Sequence, residues 1–156
     1  MKSSIERVID SFKKFGIKNS IIRFEQDAGT AQDAAVAVGC TLSRIAKSIV
    51  FKTKDGHPVL VVASGANRID KNRVSEVYGT KLKISSPEFA KQTTGFSVGE
   101  VTPFGLISEI PVFVDESLFI FEKIWISAGA GNMLAEIDPH DLLILPLSRK
   151  VEIVKR

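Results

Sequence analysis

The stretch from Ser48 to Ala63 constrains the fold more than any other part of the chain. Two runs rich in branched apolar residues, Ser48–Lys52 and Pro58–Ala63, flank Lys54-Asp55-Gly56-His57. Asp-Gly between such runs predicts a β-hairpin, because the turn needs a residue tolerant of positive φ and β-branched side chains suit a pleated surface. An antiparallel pair is therefore expected near the middle of the chain, with the other elements packed around it.

Those other elements carry local signals. Ile5, Val8, Ile9, Phe12 and Phe15 recur at helical spacing, Ser3 and Glu6 form a capping box, and Gly16 stops the helix. Ile21–Phe24 reads as a short strand, and Thr30 caps a helix over Ala31–Val38 that Gly39 ends. Ile69–Tyr78 is a helix closed by Gly79, Lys81–Ile84 a strand, and Ser86-Pro87-Glu88 a helix start whose helix ends near Gly95. Val112–Val114 and Lys123–Ser127 read as strands around a helical turn at Glu116–Leu118. Residues 128–132 read as a flexible connection, Leu134–Ile137 as a strand, Asp138-Pro139 as the start of a short helix, and Val151–Val154 as a terminal strand. Strands next to one another, without regular βαβ alternation, predict a single α+β domain over residues 1–156. Its sheet should be curved and barrel-like, mostly antiparallel or mixed, with helices around it.

Composition narrows the function. At 156 residues and 44% hydrophobic content the chain can bury roughly two-thirds of its unfolded surface. Lys and Arg total 21 against 18 Asp and Glu, a net charge of +3 that permits a nucleic-acid partner without requiring one. With two histidines and one cysteine, four-ligand Cys/His zinc sites and disulfide frameworks are excluded. A lone thiol, no apolar signal-peptide core and no run near the roughly 18 residues of a membrane span suggest a soluble cytoplasmic domain.

Most enzyme templates fail. His57 falls in the hairpin tip and His140 in the first turn of a short helix, both expected at the surface; Cys40 follows Gly39 and reads as a small buried or half-buried thiol rather than a nucleophile. There is no Gly-x-Ser-x-Gly elbow, phosphate loop or dinucleotide fingerprint. Two features stand out. Lys47 opens a strongly apolar strand, either as an edge lysine guarding against aggregation or as a cation at a pocket rim that holds phosphate or carboxylate. The stretch Thr93–Gly105 contains Gly95, Gly99, Gly105 and Pro103 in a pattern too irregular for helix or sheet. It is either a tight crossover or a loop presenting bare backbone groups to a ligand.

Taken in order, three motifs carry a resemblance: Thr30-Ala31 with Ala34-Ala35 and Gly39, then Ile45-Ala46-Lys47-Ser48-Ile49-Val50-Phe51, then Thr94-Gly95-Phe96 with Gly99, Pro103, Phe104 and Gly105. Gly65–Asp70, Pro111–Asp115 and Ser127-Ala128-Gly129 extend the match to about Phe24 to Leu142. The chain resembles the YbaK/ProX-type aminoacyl-tRNA deacylase family, most specifically in the three-residue spacing between Gly99 and Pro103. The resemblance implies a trans-acting editing domain that hydrolyses the ester of a mischarged tRNA. It assigns Lys47 to anchoring substrate near the terminal adenosine and the Gly99 backbone to the aminoacyl carbonyl, with Pro103 shaping that loop. Phe24, Thr30, Ser127 and Gly129 fall where the family lines its pocket. One departure is Met133-Leu134-Ala135-Glu136, where some members carry an acidic residue or histidine.

The expected partner is the acceptor end of an aminoacyl-tRNA, with a synthetase as a second one; no membrane, DNA, metal or cofactor is called for. Without a placed histidine, water would be activated by the substrate itself, by a ribose hydroxyl or the amino acid's side chain. The alternative is a module that binds a nucleotide, a tRNA end or a protein without turnover. Lys52, Lys54, Arg68, Lys71, Arg73, Lys81 and Lys83 either form one tRNA-facing basic surface or are scattered solvated charges.

Overall fold

A computed structural model describes residues 2–155. The hairpin predicted from Asp55-Gly56 forms its centre: β2 (Ala46–Thr53) pairs antiparallel with β3 (Pro58–Ser64), with Val50 opposite Leu60. The remaining strands are β1 (Ser20–Arg23), β4 (Leu82–Ile84), β5 (Val112–Asp115), β6 (Ile124–Ala130), β7 (Met133–Ile137) and β8 (Ser148–Val151). They form two sheets, a five-stranded one in the order β4-β2-β3-β5-β8 and a three-stranded one in the order β1-β7-β6. The β3/β5 and β5/β8 pairs are parallel and the rest antiparallel. The result is a small α+β domain with mixed sheets; the sheets do not close into a barrel.

The apolar run of β3 has a direct cause. Val59, Leu60, Val61, Val62 and Ala63 have no exposed surface because β3 is covered on both faces. Leu60 and Val62 join the larger core with Val8 and Phe12 of α1 (Ser4–Phe15) and Ile124, Ile126 and Ile137 of the smaller sheet. Val59, Val61 and Ala63 point the other way, toward Val74 of α3 (Lys71–Tyr78) and Leu82. At about 1.5–3 kcal/mol per fully buried branched side chain, this strand is a main source of stability.

Most helix signals hold, but Asp70, expected inside the helix Ile69–Tyr78, instead caps one that starts at Lys71. Ser3, Thr30, Asp70 and Ser86 accept hydrogen bonds from first-turn N–H groups of α1, α2 (Ala31–Val38), α3 and α4 (Pro87–Thr94), and glycines 16, 39, 79 and 95 follow the last turns. Three short 3-10 turns complete the chain at Leu42–Arg44, Glu116–Ile120 and Pro139–Ile144. Two further expectations change. Residues 128–132 are not a flexible connection, since β6 runs through Ala130 with a bulge after Ser127 and only Gly131-Asn132 turn into β7. The terminal strand is Ser148–Val151, with Val154 in an isolated bridge to Ile69. Among the described residues no helix is long and apolar enough to cross a membrane.

Candidate active site

Three segments distant in sequence meet where the two sheets abut, held there by a parallel bridge between Ile45 and Trp125. The N-terminal turn of α2, the start of β2 and the loop before Val101 enclose, with β6 and β7, a cleft of about 230 Å³. Its walls are mostly small or apolar, including Ala28, Ala31, Ala34, Val101, Trp125 and Leu134. Thr30, Lys47, Gly99 and Ser127 all line it. Among the described residues no Asp, Glu, His or Cys lies in the lining, and Lys47 is the single ionisable side chain there.

Lys47 stands on β2 opposite Ala63 and is half-buried. Its Nζ donates to the Asn67 carbonyl at 3.1 Å. The Asn67 side-chain amide in turn donates to Asp115 Oδ2 at 2.9 Å, which also accepts the Ser64 N–H at 3.1 Å. The other oxygen of this wholly buried carboxylate caps the turn after β5 through Ser117 N–H at 2.9 Å. A buried carboxylate with every oxygen engaged fixes a loop well, because losing one partner would leave the rest undersolvated. Lys47 is therefore aimed by a chain of contacts reaching into the core.

Gly99 sits at the tip of a turn closed by Glu100 N–H on the Ser97 carbonyl at 2.9 Å. Its φ of 89° lies where only glycine is comfortable, and a Cβ added there would sit 3.4 Å from the Gly29 carbonyl oxygen. Among the described residues the Gly99 N–H makes no hydrogen bond, so a bound group can take it. Thr30 spends its hydroxyl oxygen as the cap of α2, accepting Asp33 N–H at 3.0 Å. Ser127 donates to the Glu100 carbonyl at 2.9 Å and accepts Gly129 N–H at 3.1 Å.

The other three residues that the resemblance assigned lie outside this lining. Phe24 packs behind it, on the cluster of Ala28, Ala34, Ala35, Ile45 and Leu134, and exchanges hydrogen bonds with Asn132. Pro103 is buried and borders a separate groove of about 460 Å³ between α1 and residues 105–112. Gly129, at φ 97°, lets α1 approach β6: a Cβ there would lie 3.0 Å from the Ser4 carbonyl oxygen. Of the departing Met133–Glu136 stretch, only Leu134 reaches the cleft; Met133 turns to the main core, as strand alternation requires.

The histidines are at the surface, paired with Asp55 and Asp138 and with side chains 68% and 70% exposed. Cys40 is half-buried, and that burial raises its thiol pKa, against the lowering effect of Arg44. Among the described residues no cluster of three or more His, Cys, Asp and Glu could hold a metal ion. Of the seven cations considered as one face, Lys52 and Lys83 are neighbours across β2 and β4, whereas Arg73 is engaged by Glu76 and the Glu152 carbonyl. The sequence reading missed Trp125 as a wall and Asn67, Glu100 and Asp115 as supports.

The family model described as aminoacyl-tRNA editing domain matches residues 25–145. The uncharacterized protein YwhH of Bacillus subtilis is 33% identical over 139 residues, covering 89% of this chain and 88% of that one. EbsC of Enterococcus faecalis, a candidate Cys-tRNA(Pro)/Cys-tRNA(Cys) deacylase, is 24% identical over 156 residues, 99% of this chain and 94% of its own. A crystal structure of a candidate trans-editing enzyme for prolyl-tRNA synthetase superposes with a TM-score of 0.89 at 29% identity, covering 100% and 99% of the two chains. Relatives and structural neighbours alike indicate aminoacyl-tRNA editing at a general level. The match over residues 25–145, from just after strand β1 to just past the last 3-10 turn and including the Thr30, Lys47 and Gly99 segments of the cleft, makes this chain a member of the aminoacyl-tRNA editing domain family, of YbaK type.

Proposed function

We propose that the protein is a trans-acting deacylase that hydrolyses the ester between a small amino acid and a mischarged tRNA. The observation that carries the reading is the cleft itself: small, mostly apolar, with one cation, an unpaired N–H at Gly99 and, among the described residues, no carboxylate, imidazole or thiol in its lining. Such a second site is useful because a synthetase pocket discriminates against a side chain one methylene smaller by only about 1–3 kcal/mol.

In this mechanism the amino-acid side chain enters among Ala28, Ala31, Ala34 and Leu134, where a larger side chain meets the walls. Lys47 holds the terminal adenosine as a point charge. Water attacks the ester carbonyl, and the developing oxyanion takes the Gly99 N–H, a donor of a kind worth about 3–4 kcal/mol in hydrolases. The bond to the ribose oxygen breaks and that oxygen receives the proton, leaving free amino acid and tRNA. The neighbouring ribose hydroxyl takes the proton from water as it passes its own to that leaving oxygen; where the amino acid carries a hydroxyl or thiol, its side chain can relay the proton instead. Pro103 stiffens the segment following the Gly99 loop, and Ser127 acts through that loop.

The same observation fits a module that binds a tRNA end without turnover, because neither needs a protein base. Incubation with Ala-, Cys-, Ser- and other small-amino-acid tRNA esters separates them. Release of amino acid from at least one ester above its spontaneous rate supports the deacylase; binding with release from none overturns it.

A further inference from the structure

Glu100 follows the Gly99 tip and is held at two points by the β6–β7 hairpin. Its carboxylate accepts the Gly131 N–H at 3.2 Å, and its carbonyl accepts the Ser127 hydroxyl at 2.9 Å. Gly131 is itself the junction to a third segment: its carbonyl accepts the Ala28 N–H. The Asp27 carboxylate lies 2.5 Å from where a Cβ on residue 131 would be, and it accepts the Gly29 N–H at 3.0 Å. Gly29 closes the circle against Gly99, whose virtual Cβ is 3.4 Å from the Gly29 oxygen. Residues 27–29, 99–100 and 127–131 thus form a ring around the cleft mouth.

The ring matters because the Gly99 tip has little apolar burial to hold it. Val98 is 65% exposed and Gly99 is exposed, while burial resumes only at Val101. A tip without packed side chains opens at low cost unless hydrogen bonds fix it. The Glu100 carboxylate is the one side-chain group of residues 98–100 that bonds outside its own loop.

We infer that Glu100 is a positioning residue for ester hydrolysis: its carboxylate, through Gly131, fixes the Gly99 N–H at the place where the carbonyl oxygen is bound. The role belongs to hydrogen-bond acceptance and not to charge, since among the described residues no cation is within ion-pair distance of it. The inference rests on the deacylase reading for its catalytic half and on geometry alone for its structural half.

The test compares wild type, Glu100→Ala and Glu100→Gln in two measurements. Gln retains an oxygen for Gly131 N–H, whereas Ala removes it. In deacylation of an ester the wild type accepts, Glu100→Ala is expected to lower kcat about 10- to 100-fold with KM changed less than about threefold, in line with the cost of a misplaced catalytic group. Glu100→Gln stays within about threefold of wild type in both. In substrate-free protein, hydrogen exchange of the residue-100 amide, bonded to Ser97, accelerates in Glu100→Ala and not in Glu100→Gln. Equal behaviour of the Ala and Gln variants, or unchanged kcat and exchange in Glu100→Ala, overturns the inference. A wild type that releases nothing sinks the deacylase reading, while the exchange data still decide whether Glu100 fixes the loop. Should the Ala variant not fold, Glu100→Asp, one methylene too short to reach Gly131, is expected to show the same kcat loss and faster exchange; wild-type values would overturn the role.

Discussion

Replacing Lys47 by Met keeps the aliphatic stem and removes only the charge and its hydrogen bond. In the free protein the loss is one contact, Nζ to the Asn67 carbonyl at 3.1 Å, at a half-buried position. The donor is charged, but at a half-exposed position solvent screening holds the net contribution to about 0.5–1.5 kcal/mol, and at this chain length about 1 kcal/mol corresponds to roughly 2–4 °C in Tm. Lys47→Met should therefore melt within about 6 °C of wild type. In the substrate complex the loss is larger, because the cleft lining offers no second cation. A hydrogen bond to a charged group is worth about 1.5–3 kcal/mol, and about 1.4 kcal/mol is tenfold, so kcat/KM should fall about 10- to 150-fold. Lys47→Arg should recover only part, since a planar guanidinium cannot put its charge where the ammonium sits. The assay is single-turnover deacylation with enzyme in excess, over a range of enzyme concentrations. A fully folded Lys47→Met protein with at least half the wild-type kcat/KM would show that the Lys47 charge does not hold the substrate.

Four further outcomes are expected. The double variant His57→Ala, His140→Ala should deacylate within about twofold of wild type, as both rings are exposed and neither borders the cleft; an inactive, folded double variant would point to a protein base. Gly129→Ala should lower stability by about 1–3 kcal/mol, from a side chain forced into positive φ and a 3.0 Å approach to the Ser4 carbonyl, and calorimetry should show a drop of about 2–12 °C. Asp138 caps the Pro139–Ile144 turn, and the His140 N–H, then the His140 ring, hold its carboxyl below the usual carboxylate range. With the folded value depressed, its contribution is present above about pH 4 and lost as pH falls through the lowered value. Asp138→Ala should accordingly melt about 2–4 °C below wild type at pH 6, by the usual cost of a lost cap, with the gap closing as pH falls through that lowered value. Affinity for uncharged tRNA should fall as salt rises, because phosphate contacts release counterions; filter binding at two salt concentrations checks this.

What could be read from the sequence was what is local. The Asp55-Gly56 hairpin, the helix caps Ser3, Thr30 and Ser86 and four terminal glycines each depend on residues within about five positions of one another, and formed as read, whereas Asp70, expected inside a helix, caps it instead. The convergence of Lys47 and Gly99 came from motif order, not from local pattern, since 52 positions separate them. Phe24, Pro103 and Gly129 went to other surroundings because adjacency in sequence does not select a face: β6 directs Ser127 to the cleft while Gly129 meets α1. The small residues 128–132 suggested flexibility, yet their smallness admits a helix and a carboxylate at close range. Glu100 bonds Gly131, 31 positions away, and Asn67 bonds Asp115, 48 away; no spacing rule connects such pairs before the chain folds.

The most direct test of the site is to see where a stable substrate mimic binds. Adenosine carrying alanine through a 3′-amide in place of the ester can be titrated into isotope-labelled protein and followed by NMR. Shifts are expected to concentrate at Thr30, Lys47, Val98, Gly99 and Ser127, with the Gly99 amide proton moving downfield as it gains an acceptor. Shifts confined to the larger groove between α1 and residues 105–112, with Lys47 and Gly99 unmoved, would contradict this site assignment.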